Sequence, residues 1–74
     1  MSVTLRRIDP ARNMQRFYSL DVQPDLFGAF TLIREWGRIG RGGRVKLEGF
    51  ASAGEALTAL ERQRRLKERR GYSP

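Results

Sequence analysis

The chain has 74 residues but neither cysteine nor histidine, and this absence limits what can hold its fold together. Small domains commonly gain stability from disulfides or a bound zinc ion, and both depend on these side chains. The fold must therefore rely on a small apolar core, or on a partner. A length of 74 residues leaves room for one domain, which we assign to residues 1–74.

The same absence restricts the chemistry that the chain can perform. Histidine is the commonest general base and metal ligand, and cysteine supplies the thiolate nucleophile. The eight acidic residues are scattered, and no two have a spacing that specifies a catalytic carboxylate pair. The glycine-rich residues 37–43 lack both the Walker spacing and a strand–GxGxxG–helix context. We therefore expect no enzymatic activity, no cofactor and no metal site.

Positive charge is the dominant feature of the composition. Fifteen lysines and arginines against eight acids give a net charge of +7, and thirteen of the fifteen are arginine. The planar guanidinium group matches two phosphate oxygens at once and stacks on flat rings. Nucleic acid is the partner that we expect first, while an anionic membrane surface, an acidic protein or mere solubility are the alternatives.

The hydropathy of the sequence bears on the cellular location that we expect for the protein. No segment approaches the roughly 18 consecutive apolar residues of a membrane span, and the first ten residues contain no apolar signal-peptide core. We expect the protein to remain in the cytoplasm and not to bind a membrane.

Alternation of apolar and polar residues predicts strands in the first fifty residues. They cover residues 3–8, 17–22, 30–36 and 44–50. Residues 9–13 and 23–28 predict turns because they contain Pro10, Pro24 and Gly28. Both faces of residues 30–36 are partly apolar, so periodicity does not decide which of them meets the core. Residues 37–43 connect the last two strands into an antiparallel hairpin.

One helix is predicted at the C-terminal end. Ser52 followed by Glu55 has the spacing of a capping box, in which the serine accepts from a free amide and the glutamate reaches back. An apolar stripe then follows at helical spacing, and Gly71 can adopt the left-handed conformation that closes a helix. We predict an α+β fold, with an antiparallel sheet of three to four strands and this helix packed on one face.

The first of two basic clusters surrounds Trp36, the only tryptophan. An aromatic ring among guanidinium groups suits nucleic acid, because the ring stacks on a base while the cations hold phosphates. The alternative is that Trp36 fills the core of a small domain, and composition alone does not separate the two. The candidate nucleic-acid-binding residues are Arg34, Trp36, Arg38, Arg41, Arg44 and Lys46.

The second basic cluster ends the predicted helix. It consists of Arg62, Arg64, Arg65, Lys67, Arg69 and Arg70. Cations suit a helix C-terminus, and Glu61 with Arg65 and Arg64 with Glu68 have the spacing of helical ion pairs. A solvated helix face is therefore the favoured interpretation, with phosphate contact as the second.

These motifs together resemble the WGR domain. The resemblance rests on Arg-Glu-Trp-Gly-Arg-Ile-Gly at residues 34–40, followed by a glycine-rich turn, a strand and a helix opening on Ser-Ala-Gly-Glu-Ala. Residues 8–14 and 16–18 are similar to the opening of bacterial members, so the resemblance extends from about Leu5 to Tyr72. WGR domains occur inside DNA-dependent poly(ADP-ribose) polymerases and as short modules in bacteria.

The resemblance implies an antiparallel sheet with one helix and a role in binding nucleic acid, DNA above all. In the polymerases the Trp of the motif packs on the terminal nucleotide, and the resemblance implies that Trp36 is the stacking residue here and Arg38 a contact residue. The zinc fingers and the catalytic domain of the polymerases have no counterpart in these residues. The second hypothesis for function is a protein-interaction or homodimerisation module, in which an open sheet edge or the same basic surface docks a partner.

Overall fold

A computed structural model describes all 74 residues of the chain. Four antiparallel strands lie in the order β1-β2-β3-β4 and one α-helix follows them, which confirms the predicted fold class. The bounds are β1 at Ser2–Asp9, β2 at Met14–Pro24, β3 at Phe30–Arg38, β4 at Arg44–Phe50 and α1 at Ala53–Arg69. A short 3₁₀ turn at Pro10–Arg12 joins β1 to β2.

The strands are longer than the apolar alternation predicts. β2 begins at Met14 instead of residue 17 and ends at Pro24, and β3 continues to Arg38. The additional residues are mainly polar, so they give no periodic signal. They pair through the backbone nevertheless, because ladder hydrogen bonds do not depend on side-chain polarity.

The core lies between α1 and one face of the sheet. The buried side chains are Leu5, Tyr18, Leu20, Val22, Leu32, Ala56 and Leu60. Burial of Leu32 settles the orientation of β3: Phe30, Leu32, Arg34 and Trp36 share the face that meets the helix. The opposite face of the sheet carries no covering layer, so one side of every strand is open to solvent.

Both ends of α1 are capped, although one predicted detail is wrong. The Ser52 hydroxyl accepts from the Glu55 amide at 3.2 Å, but the Glu55 side chain stays exposed and returns no hydrogen bond. At the other end Gly71 has φ +94°. The Gly71 amide donates to the Glu68 carbonyl at 3.1 Å and the Tyr72 amide to the Lys67 carbonyl at 3.0 Å. This pair of bonds is a Schellman motif and confirms the role predicted for Gly71.

The chain after the helix returns to the edge of the sheet. Ser73 and Arg6 exchange two backbone hydrogen bonds of 2.7 and 2.8 Å, so the tail covers part of the outer edge of β1. The helix itself has 17 residues, and its length and hydropathy do not meet the requirements of a membrane span.

Candidate nucleic-acid interface

The Trp-Gly-Arg motif occupies the end of β3, and strand alternation explains its pattern. Trp36 and Arg38 lie on the helix face of the sheet, whereas Gly37 lies on the open face. A Cβ on Gly37 would be 3.0 Å from the Gly43 Cα and 3.5 Å from the Phe17 ring. A side chain at residue 37 would therefore crowd the β3–β4 connection where it closes over Phe17, and glycine avoids this.

Trp36 is neither fully core nor fully exposed. It is half-buried, and its ring stacks on that of Tyr18 with centroids 5.8 Å apart and planes 17° from parallel. Tyr72 meets Tyr18 edge-on at 6.4 Å. The core interpretation holds in part, because one side of the indole packs on the core. The rest of the ring lines a surface, and its stacking on a base stays a prediction.

That surface is a cleft between the end of the sheet and the end of α1. Its volume is about 420 Å³. Three aromatic rings and three cations line it together with the backbone of Gly37, and no acidic residue does. The side chains are Arg16, Tyr18, Trp36, Arg38, Lys67 and Tyr72. We call this site the aromatic–arginine cleft.

Three arginines lie in register across three neighbouring strands, and two of them, Arg16 and Arg38, line this cleft. Arg7 on β1 pairs in register with Arg16 on β2, and Arg16 pairs with Arg38 on β3. None of the three has an acidic group within 4.0 Å. Like charges directly opposite on a sheet are destabilising, so this row concentrates positive charge that the fold itself does not neutralise.

Arg38 is held by the turn between β1 and β2. Its guanidinium group donates to the Asn13 carbonyl at 3.1 Å and to the Asn13 side-chain oxygen at 3.4 Å. Asn13 has φ +50°, a left-handed conformation that asparagine tolerates better than most residues. Both acceptors are neutral, so they orient Arg38 without cancelling its charge.

Lys67 lies over the aromatic rings and not on the solvated helix face to which the sequence analysis assigned it. Its amine is 4.5 Å from the Tyr18 centroid and 5.8 Å from the Tyr72 centroid, in cation–π geometry. Burial lowers the pKa of Lys67, and the positive charges of Arg70 and Arg34 lower it further.

Arg34 is the one candidate that the structure places inside the domain. Its guanidinium group is 2.8 Å from the Glu48 carboxylate, and its side chain is only 13% exposed. It also donates weakly to the Tyr18 hydroxyl at 3.5 Å. Because Glu48 neutralises its charge beneath the helix, Arg34 is a structural ion-pair residue, and we remove it from the candidate interface.

The remaining candidates lie beside the cleft without lining it. Arg41 is in the turn after β3, and Arg44 pairs in register with Trp36 at the start of β4. Lys46 follows on the same strand, opposite Arg34. All three are exposed, and none has an acidic partner.

The second basic cluster, at the end of α1, contains both cations that are paired with acidic residues and cations that are not. Arg64 is 2.7 Å from Glu61 and 3.7 Å from Glu68, and Arg65 is 3.9 Å from Glu61. Both predicted ion pairs are thus present. The hydrogen bond from Arg64 lowers the pKa of Glu61. Arg62 and Arg69 have no acidic partner, but they lie on the side of α1 that faces away from the sheet.

Sequence reasoning found Trp36 and Arg38 but missed most of the other cleft residues. The missed lining residues are Arg16, Tyr18, Lys67 and Tyr72, and Arg7, which lies opposite Arg16 on β1, was missed as well. They come from separate elements and meet only through strand register and the helix cap. The available signal was the period of two: Arg7 follows the buried Leu5 by two residues, and Arg16 precedes the buried Tyr18 by two.

Comparison with known proteins gives one consistent result. The family model described as the WGR domain matches residues 1–74. The chain is 40% identical over 70 residues to the uncharacterized protein y4dW of Sinorhizobium fredii (strain NBRC 101917 / NGR234). That alignment covers 95% of this chain but 34% of the relative, so the chain spans about a third of the relative's length. The chain belongs to the WGR domain family, whose members are modules of the nucleic-acid-binding type.

Proposed function

We propose that this domain is a non-catalytic nucleic-acid-binding module that holds DNA in the aromatic–arginine cleft. The observation that carries the proposal is the row of Arg7, Arg16 and Arg38, which stands unneutralised beside the half-buried ring of Trp36. The general nucleic-acid-binding character of the WGR family supports the same assignment.

Electrostatics supports a polyanionic ligand. Eleven of the fifteen cationic side chains have no acidic group within 4.0 Å, since only Arg12, Arg34, Arg64 and Arg65 do. Repulsion within the arginine row is relieved when phosphates approach it. Condensed counterions are then released from the nucleic acid, which is the main driving force for such binding.

The aromatic rings provide the contact that a phosphate site alone would lack. The exposed part of the Trp36 ring can contact a base or sugar, while the ring of Tyr18 stacks on the indole and holds it in place. Base–aromatic stacking tolerates any sequence because every base has a flat face. We assign Arg16, Arg38 and Lys67 to phosphates at the cleft, and Arg41, Arg44 and Lys46 to phosphates on its β4 side.

A salt titration with labelled duplex DNA, single-stranded DNA and RNA tests the proposal. If about three to five phosphates are neutralised, log K falls against log salt with a slope of about −3 to −4.5 on duplex DNA. Arg16→Ala and Arg38→Ala should each weaken binding and flatten this slope by about one unit. The matched control is Arg62→Ala, which removes an unpaired charge from the far side of the helix.

Two outcomes would count against DNA binding through the cleft. One is the absence of a complex at low salt, and the other is an equal effect of Arg62→Ala and Arg38→Ala. A complex with protein in place of nucleic acid would favour the second hypothesis, a protein-interaction or homodimerisation module. We expect the binding reaction to take place in the cytoplasm, where nucleic acid is accessible.

A further inference from the structure

The two outer edges of the sheet, β1 and β4, differ in their backbone hydrogen bonding. The tail covers β1 through the paired backbones of Arg6 and Ser73. Beyond its ladder with β3, no residue of β4 takes part in any backbone hydrogen bond. An uncovered edge presents a row of free amides and carbonyls that can pair with another strand.

β4 also has the regularity that edge pairing requires. Its seven residues follow β3 in continuous register from Phe30 opposite Phe50 to Trp36 opposite Arg44, without a bulge or a proline. Val45 and Leu47 lie on the open face and are 58% and 64% exposed. Two large apolar side chains alternating along an uncovered strand indicate a surface that a partner strand would cover.

The sequence of β4 is complementary to itself. In an antiparallel pair centred on Lys46, Arg44 of each copy lies opposite Glu48 of the other, and Val45 lies opposite Leu47. Arg34 engages only the Oε1 atom of Glu48, so Oε2 remains for the second copy's arginine. We propose that the β4 edge binds a second copy of this chain, and that two four-stranded sheets thereby become one continuous sheet of eight.

Charge and size make this dimer weak and reversible. The two-fold axis places Lys46 opposite its own counterpart, and edge lysines are a common device against uncontrolled strand pairing. One pair of edge strands also buries less than the roughly 1,200–2,000 Å² of a standard interface. Salt screens the repulsion between two chains of +7 charge, so self-association should strengthen with salt whereas DNA binding should weaken.

Introduced cysteines test the register directly, because the native chain has none. With the axis at Lys46, the two copies of residue 46 have Cα atoms about 4.5–5.5 Å apart, which is within disulfide range. The matched control is Arg44→Cys on the same strand, whose two copies would be about 13 Å apart. Under mild oxidation, Lys46→Cys should form a covalent dimer at least tenfold faster than Arg44→Cys. Equal rates for the two variants, or no dimer from Lys46→Cys, would overturn the proposal.

Sedimentation equilibrium without nucleic acid gives a second measurement on the cysteine-free chain. The native protein should show a monomer–dimer equilibrium, and Lys46→Thr should tighten it about two- to fivefold by removing the like-charge pair. A native chain and a Lys46→Thr variant that both remain monomeric at every concentration would refute the edge dimer. Because no DNA is present, that failure would leave the proposed function of the cleft untouched.

Discussion

Replacement of Trp36 by alanine separates the two roles of this residue. A buried aromatic residue truncated to alanine costs about 3–5 kcal/mol. Trp36 is half-buried, so we expect a loss of about 1.5–2.5 kcal/mol, of which stacking on Tyr18 accounts for about 0.5–1.5 kcal/mol. In a domain of this size about 1 kcal/mol lowers the melting temperature by 4–8 °C, so Trp36→Ala should lower it by about 6–20 °C.

The same variant should bind DNA less tightly for a separate reason. Loss of one base–aromatic stack costs about 1–3 kcal/mol, which weakens the dissociation constant by about 5- to 150-fold. Thermal melting by circular dichroism gives the stability, and fluorescence anisotropy with labelled duplex DNA gives the affinity. Binding must be measured well below the melting temperature of the variant, so that the folded population is the same as for the native chain.

Phe30→Ala is the matched control for Trp36→Ala. Phe30 lies on the same face of β3 and packs on the same core, but six residues away from the cleft. It should lose comparable stability and keep native affinity. Unchanged binding by Trp36→Ala would show that the indole is only a core residue. Equal loss of binding in both variants would show that affinity follows stability and not stacking.

Three further predictions follow from other parts of the molecule. Gly71→Ala should destabilise the domain by about 1 kcal/mol in chemical denaturation, because φ of Gly71 is +94° and the Arg7 side chain lies 3.3 Å from the added Cβ. A variant of full stability would contradict the Schellman cap. Arg34→Ala should lower the free energy of unfolding by about 1–2 kcal/mol, since it leaves Glu48 without its ion-pair partner at a partly exposed site. It should leave the salt slope of DNA binding unchanged, and a flatter slope would return Arg34 to the interface. Purified protein should consume no NAD and hydrolyse no nucleotide, and turnover that one substitution abolishes would disprove this.

The fold could be predicted from local signals because its core follows them closely. Tyr18, Leu20 and Val22 alternate as a strand should, and Ser52 and Gly71 mark the two ends of the helix. The strand ends could not be predicted, since the outer residues of β2 and β3 pair through the backbone and carry no apolar period.

The candidate site was only half predictable for a related reason. Trp36 and Arg38 are neighbours in the chain, but Arg16 and Lys67 join them through register and helix length, which are tertiary facts. Proximity to Trp36 in the chain suggests an interface role for Arg34, and periodicity alone does not decide which face of its strand is buried. Once Leu32 is known to be buried, alternation places Arg34 under the helix, where Glu48 on β4 can pair with it.

The last four residues of the chain contribute both to the cleft and to the covering of the β1 edge. Tyr72 forms a wall of the cleft, and the next residue, Ser73, pairs with the backbone of Arg6. Fraying of this tail would open the cleft and uncover the β1 edge in a single local unfolding step, which needs less free energy than unfolding of the sheet. The amides of Arg6 and Tyr72 should therefore exchange with solvent together. A ligand in the cleft should slow the exchange of both amides, and an occupied cleft would then also keep the β1 edge of the sheet covered against pairing with other chains.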